Sequence, residues 1–387
     1  MSLATESPFS SMSAALPSSI ACADLGSLIA RVLAPRVTAI DLEGEYPEAF
    51  LRALGGLGGM GVGVPLAYGG AGLGLMGTLT TMAQVGEVCL STAFLHWCHT
   101  ACAHSIAKSD NEQAKTALLP ALARGEVLGG TGLSNTLKSA CEMESFLLSA
   151  KRVDGGYEIN GTLPWVSNLG EDHIFVTGCP VEGDGRLVFV VVHCNQAGFK
   201  LVNGAEFTAL EGTRTFACQF RNVRIDDDRV LAHPEQAQAY LPRIQPGLVL
   251  AQMGMGLGLV RDCIHLVEAV ARTHSHVNCF ETDQAVELRE TLNEVEVETF
   301  RLAALLDAAP APASLPKLIT DVMRVRLTGG ELSLRAANAA MLHQGARGYL
   351  RKATAQRRLR EAYFVAILTP ALKHLRREIA RRESLGL

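Results

Sequence analysis

The sequence predicts an α+β chain in three parts: an N-terminal all-helical domain, a small β-barrel domain in the middle and a C-terminal four-helix bundle. Three observations lead there. Apolar residues recur at helical spacing through residues 24–58, 75–91 and 92–124. Short β-rich runs separated by Gly and Asp turns fill the stretch from Val127 to Val230, and long helical runs follow Pro234. A chain of 387 residues implies two or three domains, and its 48% hydrophobic content is ample for large cores.

The helical first part, residues 21–124, is broken by Pro35, by the glycine cluster from Gly55 to Gly63 and by Tyr68-Gly-Gly70. It follows a Ser- and Ala-rich start, residues 1–20, which is expected to be disordered. The middle part, residues 125–233, holds the runs Phe146–Lys151, Tyr157–Ile159, His173–Thr177, Leu187–His193, Phe199–Val202 and Phe216–Phe220, rich in β-branched and aromatic residues. A small barrel or a sandwich fits such strands. The last part, residues 234–387, carries helical runs at 236–272, 283–308, 315–343 and 354–383, interrupted by Ala309-Pro-Ala-Pro312 and by Gly345 to Gly348. Four long helices on short links make a bundle.

Net charge of −4 and a pI near 6.3 give no support for a nucleic-acid partner. A local exception is the run Arg347, Arg351, Lys352, Arg357, Arg358 and Arg360, followed by Arg376, Arg377, Arg381 and Arg382. Such runs suit either a solvated helix face or a groove that holds pyrophosphate. Ten cysteines without a C-x-x-C pair point to neither a zinc site nor a thioredoxin-like centre. Cys98, His99 and Cys102 lie close enough on one helix to resemble a metal cluster, but helix packing explains them, so no metal is expected. No apolar run reads as a membrane span and the start lacks a signal-peptide pattern, so a cytoplasmic protein with no membrane partner is expected.

The stretch Gly155-Gly-Tyr-Glu-Ile-Asn-Gly-Thr-Leu-Pro-Trp-Val-Ser-Asn-Leu-Gly170 reads as strand, turn, strand, with Asn160-Gly161 as the two-residue hairpin signal. It delivers Trp165 and Ser167 together. A Trp can cover one face of an isoalloxazine ring while a Ser hydroxyl bonds its polar edge. A barrel-core Trp is the structural alternative.

Two flanking segments bear on that choice: Val64-Pro-Leu-Ala-Tyr-Gly-Gly-Ala-Gly-Leu-Gly74 upstream and Phe220-Arg-Asn-Val-Arg-Ile225 downstream. With Trp165-Val-Ser-Asn168 and Leu342-His-Gln-Gly-Ala-Arg-Gly-Tyr349 they follow the order and spacing of the acyl-CoA dehydrogenase flavoproteins, which the chain resembles from about residue 25 to the mid-360s. The resemblance implies the same helical, β and helical order, with a flavin between barrel and bundle, and a homotetramer or homodimer whose neighbouring subunit completes the site. It implies FAD, with FMN as an alternative, and a small-molecule substrate such as an acyl-CoA.

Matched position by position, Thr131-Gly-Leu-Ser134 falls on the family's L-T segment, so Leu133 and Ser134 are expected to bond the ring's pyrimidine edge. Trp165 and Ser167 fall on the ring-stacking Trp and its hydroxyl partner, while Asn135, Ala140 and Leu163 replace the family's Glu, Ser and Lys. In the bundle, His274 and Val277 stand at the Arg and Phe of R-x-x-F-G, Gln284 matches a cofactor-contacting Gln, and Gly345 keeps the glycine of H-G-G-x-G-Y. Leu342 and Ala346 depart from that last motif.

The family's α,β-dehydrogenation uses a carboxylate to take the α-proton as a hydride leaves the β-carbon. Arg357-Arg-Leu-Arg-Glu-Ala362 matches the motif preceding the usual Glu, and counting forward places Thr369 at the Glu and Pro370 at the Gly. The less common position, on the first bundle helix, is Leu248. No Asp or Glu lies between Ala362 and Glu378 or between Gln238 and Arg261, and Glu235 and Glu361 read as capping or salt-bridge carboxylates.

Three functions follow from the resemblance and its departures. The first is an acyl-CoA dehydrogenase-type oxidoreductase with a substituted base at Thr369. The second is a flavin-dependent monooxygenase fed by a separate flavin reductase, in which His99, sharing a helix face with His96, would serve oxygen chemistry. The third is a non-catalytic scaffold that retains the fold.

Overall fold

The computed structural model describes residues 22–203, 205–309 and 314–386. The N-terminal stretch expected to be disordered and most of the Ala309–Pro312 break lie outside the described residues. The helical first part comprises α1 (Cys22–Leu28), α2 (Val37–Leu42), α3 (Glu48–Gly56), α4 (Gly74–Val88), α5 (Leu90–Ala107) and α6 (Glu112–Ala123), with Pro35 in a short 3-10 turn, Ala34–Arg36. Cys89, in extended geometry (φ −147°), separates α4 from α5. The Asn111 side chain caps α6 by accepting from Ala114 N at 3.0 Å. Nearly every residue of α5 is buried, as expected of a helix apolar on all sides.

The middle domain consists of two four-stranded sheets. Strands β1 (Gly129–Thr131), β4 (Ile174–Pro180), β5 (Leu187–His193) and β8 (Val230–Ala232) form one in the order β1-β4-β5-β8. Strands β2 (Leu148–Val153), β3 (Gly156–Val166), β7 (Phe216–Asp226) and β6 (Phe199–Val202) form the other in the order β2-β3-β7-β6. No ladder among the described residues joins them into a closed barrel, so the domain has the sandwich geometry of the two expected. Phe175, Phe199 and Phe220 pack together in its core, with ring centroids 5.1–6.2 Å apart.

The hairpin is displaced from its expected position. The β2–β3 turn is Asp154-Gly155, with Gly155 at φ +69°, and Val153 pairs with Gly156. Asn160-Gly161 instead lies inside β3, where the pairing with β7 shifts register. A Cβ on Gly161 would stand 2.2 Å from the Leu147 carbonyl, so this glycine permits a close backbone approach in a bulge.

Among the described residues the C-terminal part has six α-helices: α8 (Pro234–Ala251), α9 (Met253–Asn278), α10 (Ala285–Asp307), α11 (Leu315–Gln344), α12 (Thr354–Ile367) and α13 (Leu372–Ser384). Two of the four expected runs are each divided, at Gln252 and in the turn holding Thr369 and Pro370. The backbones of α4 and α9 meet closely. A Cβ on Gly258 would fall 2.3 Å from the Ala83 carbonyl, so a side chain there would force the helices apart. The stretch Pro234–Asn278 is long and apolar enough to cross a membrane, which the sequence reading did not register, but 89% of its most apolar window is packed inside the protein. It is a core element here.

Candidate functional site

Three chain segments distant in sequence meet where the sheets face the bundle. The β1–α7 junction, with α7 spanning Leu133–Ala140, lies against the end of β3. A Cβ on Gly132 would touch the Leu163 side chain at 3.0 Å, one on Gly130 would stand 2.7 Å from the Ser167 carbonyl, and Asn168 Nδ2 donates to Gly129 O at 2.7 Å. The third segment is the α12–α13 turn. Ser134 Oγ lies 2.8 Å from Thr369 Oγ1, which joins the expected pyrimidine-edge hydroxyl to the position of the family base.

Leu133 is buried beneath this junction. Gly132 precedes α7 without a side-chain cap, so the first N–H groups of that helix, near Ser134, are available to an acceptor. Trp165 is 63% exposed and meets Phe207 only edge-on, with centroids 6.5 Å apart. A broad apolar face is therefore presented to solvent rather than to the sheet core, contrary to the barrel-core alternative for this Trp. The Ser167 hydroxyl is 2.6 Å from Thr215 Oγ1, which in turn is 2.8 Å from Thr213 Oγ1. Asn168, buried and left-handed at φ +63°, fixes the end of β3, and its Oδ1 accepts from Tyr46 at 2.6 Å. An exposed indole, a helix N-terminus without a side-chain cap and two hydroxyls fit a flavin ring, whose apolar face needs a wall and whose pyrimidine carbonyls need donors.

Asn135, standing at the family's Glu, is saturated. Its amide donates to Glu144 Oε1 (2.7 Å) and Ser145 O (2.9 Å), and its carbonyl accepts from Leu147 N (2.9 Å). It staples α7 to the following loop.

Behind Thr369 lies a set of residues the sequence reading did not single out. Gln252, at the junction of α8 and α9, donates from Nε2 to Thr369 O at 2.8 Å. Its Oε1 accepts from Arg326 Nε at 2.8 Å, and Arg326, 1% exposed, also donates to Val365 O at 2.5 Å. Beside Thr369 and Pro370 a cleft lined by Leu137, Met143, Val249 and Met323 leaves about 30 Å³ for water-sized molecules.

Gln284 and Gly345 belong to a second cluster. Gln284, the residue before α10, ties it to the end of α9 by donating to Asn278 O (2.8 Å) and Glu281 O (2.7 Å), while Asn278 donates to His343 O at 3.1 Å, two residues before Gly345. Gly345 has φ +57° and ψ −142°, and a Cβ there would meet nothing within 4 Å. Phe280 and Tyr349, both more than four-fifths exposed, flank this end of the bundle.

His99 is fully buried, and both edges of its ring are taken. Gly129 N donates to Nδ1 at 3.1 Å, so Nε2 carries the proton and donates to Leu122 O, also at 3.1 Å. Burial, with His96 nearby, pushes its pKa down to about 3. The ring ties α5, α6 and β1 together and has no nitrogen free for a ligand. Cys98 and Cys102 are buried beside it, with their thiols pushed upward by burial. Glu361 lies between Arg357 and Arg358 as a salt-bridge carboxylate, and Glu235 is exposed in the first turn of α8.

Comparison with known proteins bears on the fold. The family model for the acyl-CoA dehydrogenase N-terminal domain matches residues 23–126. A probable acyl-CoA dehydrogenase of Bacillus subtilis, YngJ, is 24% identical over 348 residues, covering 87% of this chain and 89% of that protein. Among solved structures, an acyl-CoA dehydrogenase of Geobacillus kaustophilus superposes with a TM-score of 0.82 at 18% identity, over 94% of this chain and 97% of the other. The dibenzothiophene monooxygenase TdsC of a Paenibacillus species superposes at 0.78 with 19% identity, over 92% and 95%.

Proposed function

Because the chain belongs to the acyl-CoA dehydrogenase family, we propose that it is a flavin-dependent oxidoreductase acting on an acyl thioester, with Thr369 in the place of the general base. The observation that supports this reading is the 2.8 Å contact between Ser134 and Thr369, the two hydroxyls that the resemblance assigns to the ring edge and to the base position. A bound flavin would supply the acceptor for one hydride. Trp165 would cover one face of the ring, while the α7 N–H groups and Ser134 bond its pyrimidine edge. Ser167, held by Thr215, would bond a polar atom beside the Trp165 wall. A hydroxyl at Thr369 can orient a thioester carbonyl or pass a proton to water, but it cannot hold the α-proton as a carboxylate does. Slow α-proton removal is therefore expected.

The reading extends to FAD, to a homotetramer or homodimer in which the Gln284–Gly345 end serves a neighbouring subunit's cofactor, and to a cytoplasmic location. The first two are carried over from the family resemblance, and the third from the sequence pattern. The test is the absorbance spectrum of the purified protein, identification of any flavin released on denaturation, and anaerobic titration with an acyl thioester. Flavin that bleaches on adding thioester supports the dehydrogenase. A second reading, a monooxygenase supplied by a flavin reductase, is favoured by the non-ionisable residue at the base position and by the likeness to TdsC. It expects oxygen consumption with reduced flavin and no bleaching by thioester. Protein that takes up no flavin would leave the scaffold reading.

A further inference from the structure

Among the described residues, Arg326 has no carboxylate partner. The other deeply buried guanidiniums are paired: Arg358 with Asp262 and Glu361, and Arg357 with Glu361. Arg326, 1% exposed, has only neutral partners, the Gln252 side-chain carbonyl and the Val365 backbone carbonyl. Burial lowers its pKa to about 10, so it stays charged at neutral pH. A buried cation satisfied only by neutral acceptors is costly to keep, and a negative charge brought by a ligand would relieve that cost.

The geometry places that charge behind the substrate face. Gln252 is polarised at Oε1 by Arg326 and donates from Nε2 to the Thr369 carbonyl, so one amide links the guanidinium to the residue touching Ser134. Of the other charges around Thr369 and Pro370, Lys373 and Arg377 are exposed to solvent, where Arg377 donates to the Cys141 carbonyl at 2.8 Å, and Arg382 stands 3.9 Å from Glu378. Lys138 pairs with Glu144 at 2.6 Å, and Glu378 pairs with Arg381 at 2.6 Å. His374 is held neutral-leaning by burial, and the Cys141 thiol is pushed upward by burial. Among the described residues, the buried charge at this face without a carboxylate is therefore that of Arg326.

We propose that Arg326, acting through Gln252, positions Thr369 and makes the substrate face selective for an anionic ligand, the enolate of an acyl thioester or an acyl group bearing a carboxylate. The inference rests on the thioester reading. Where the family's carboxylate would stand at this face, the chain has a hydroxyl backed by a cation, so the site favours the deprotonated form of a ligand without itself taking the proton.

The test uses acetoacetyl-CoA, whose enolate has its own ultraviolet band, bound to the purified full-length protein and titrated with pH. The native protein is expected to raise the ligand's ionisation constant at least tenfold over its value in water. R326M should lose most of that gain while R326K retains it, and Q252L should lose part. Folding of each variant is checked by circular dichroism, and the native titration stands alone if R326M does not fold. Binding with an unshifted ionisation constant, or a shift that R326M preserves, overturns the role of Arg326 and leaves the thioester reading intact. Failure of the native protein to bind the probe overturns the thioester reading and this inference with it.

Discussion

Ser134 Oγ and Thr369 Oγ1 are 2.8 Å apart, although 235 residues separate them. The contact crosses from the sheet domain to the bundle at the position proposed for the base, so a carboxylate at 369 would stand beside the hydroxyl proposed to bond the ring. T369E should therefore gain α-proton removal. A positioned general base is worth roughly 10²–10⁴-fold, and the rate of deuterium loss from α-deuterated butyryl-CoA should rise by about that range over native protein. An unchanged rate would mean that the turn does not face the thioester.

Trp165 tests the flavin wall without disturbing the fold. Its indole is 63% exposed and sits beside Phe207 alone among the aromatic rings. W165A should change stability by no more than about 0.5 kcal/mol, as surface substitutions do. Flavin affinity, measured by fluorescence titration, should fall by roughly 3- to 10-fold, the worth of one aromatic stack. Loss of stability together with unchanged affinity would mean that the ring packs in the protein rather than against a ligand.

Buried histidines set the acid limit. Burial pushes His96 down to about 4 and His99 and His104 to about 3, whereas in the unfolded chain each titrates near pH 6.5. The unfolded state therefore binds more protons below that pH, so stability is complete above about 6.5 and falls as pH drops toward the folded values. Each histidine should cost about 2 kcal/mol between pH 7 and 5. Urea midpoints across that range should show the decline. H99N, whose side-chain carbonyl can still accept from Gly129, should make the decline shallower by one proton.

The sequence made the order of helices, strands and helices legible because each part keeps one hydrophobic period over many residues. The errors arose where a local signal was reused. Asn160-Gly161 has the composition of a turn, but its glycine serves a backbone approach to Leu147 in a bulge, while Asp154-Gly155 makes the turn. Gln252 divides α8 from α9 with near-helical angles (φ −60°, ψ −22°), so the hydrophobic period runs on across the break. Ser134 and Thr369 could be named by motif, but their contact depends on how the turn after α12 folds back. Arg326 and Gln252 were missed because a polar residue within a helical run reads as a solvated face. Only the tertiary packing shows both to be almost wholly buried.

Glu361 separates structural from chemical carboxylates. It is 2% exposed and accepts from Arg357 at 3.0 Å and from Arg358 at 2.9 Å, while Arg358 also reaches Asp262 at 2.6 Å. Burial opposes its ionisation, yet the two guanidiniums hold its carboxyl below the usual range. Arg358 also donates to the Gly86 and Glu87 carbonyls, so the network joins α12 to α4 and α9. Removing one partner leaves buried cations uncompensated, and E361L should cost about 3–5 kcal/mol in urea unfolding. Flavin binding and turnover per folded molecule should remain close to native. If Glu361 were the missing base, E361Q would abolish turnover while the folded fraction held, because the amide keeps much of the packing. The two guanidiniums occupy both oxygens of the carboxylate, leaving it poorly placed to take a substrate proton, so the stability loss is the expected result.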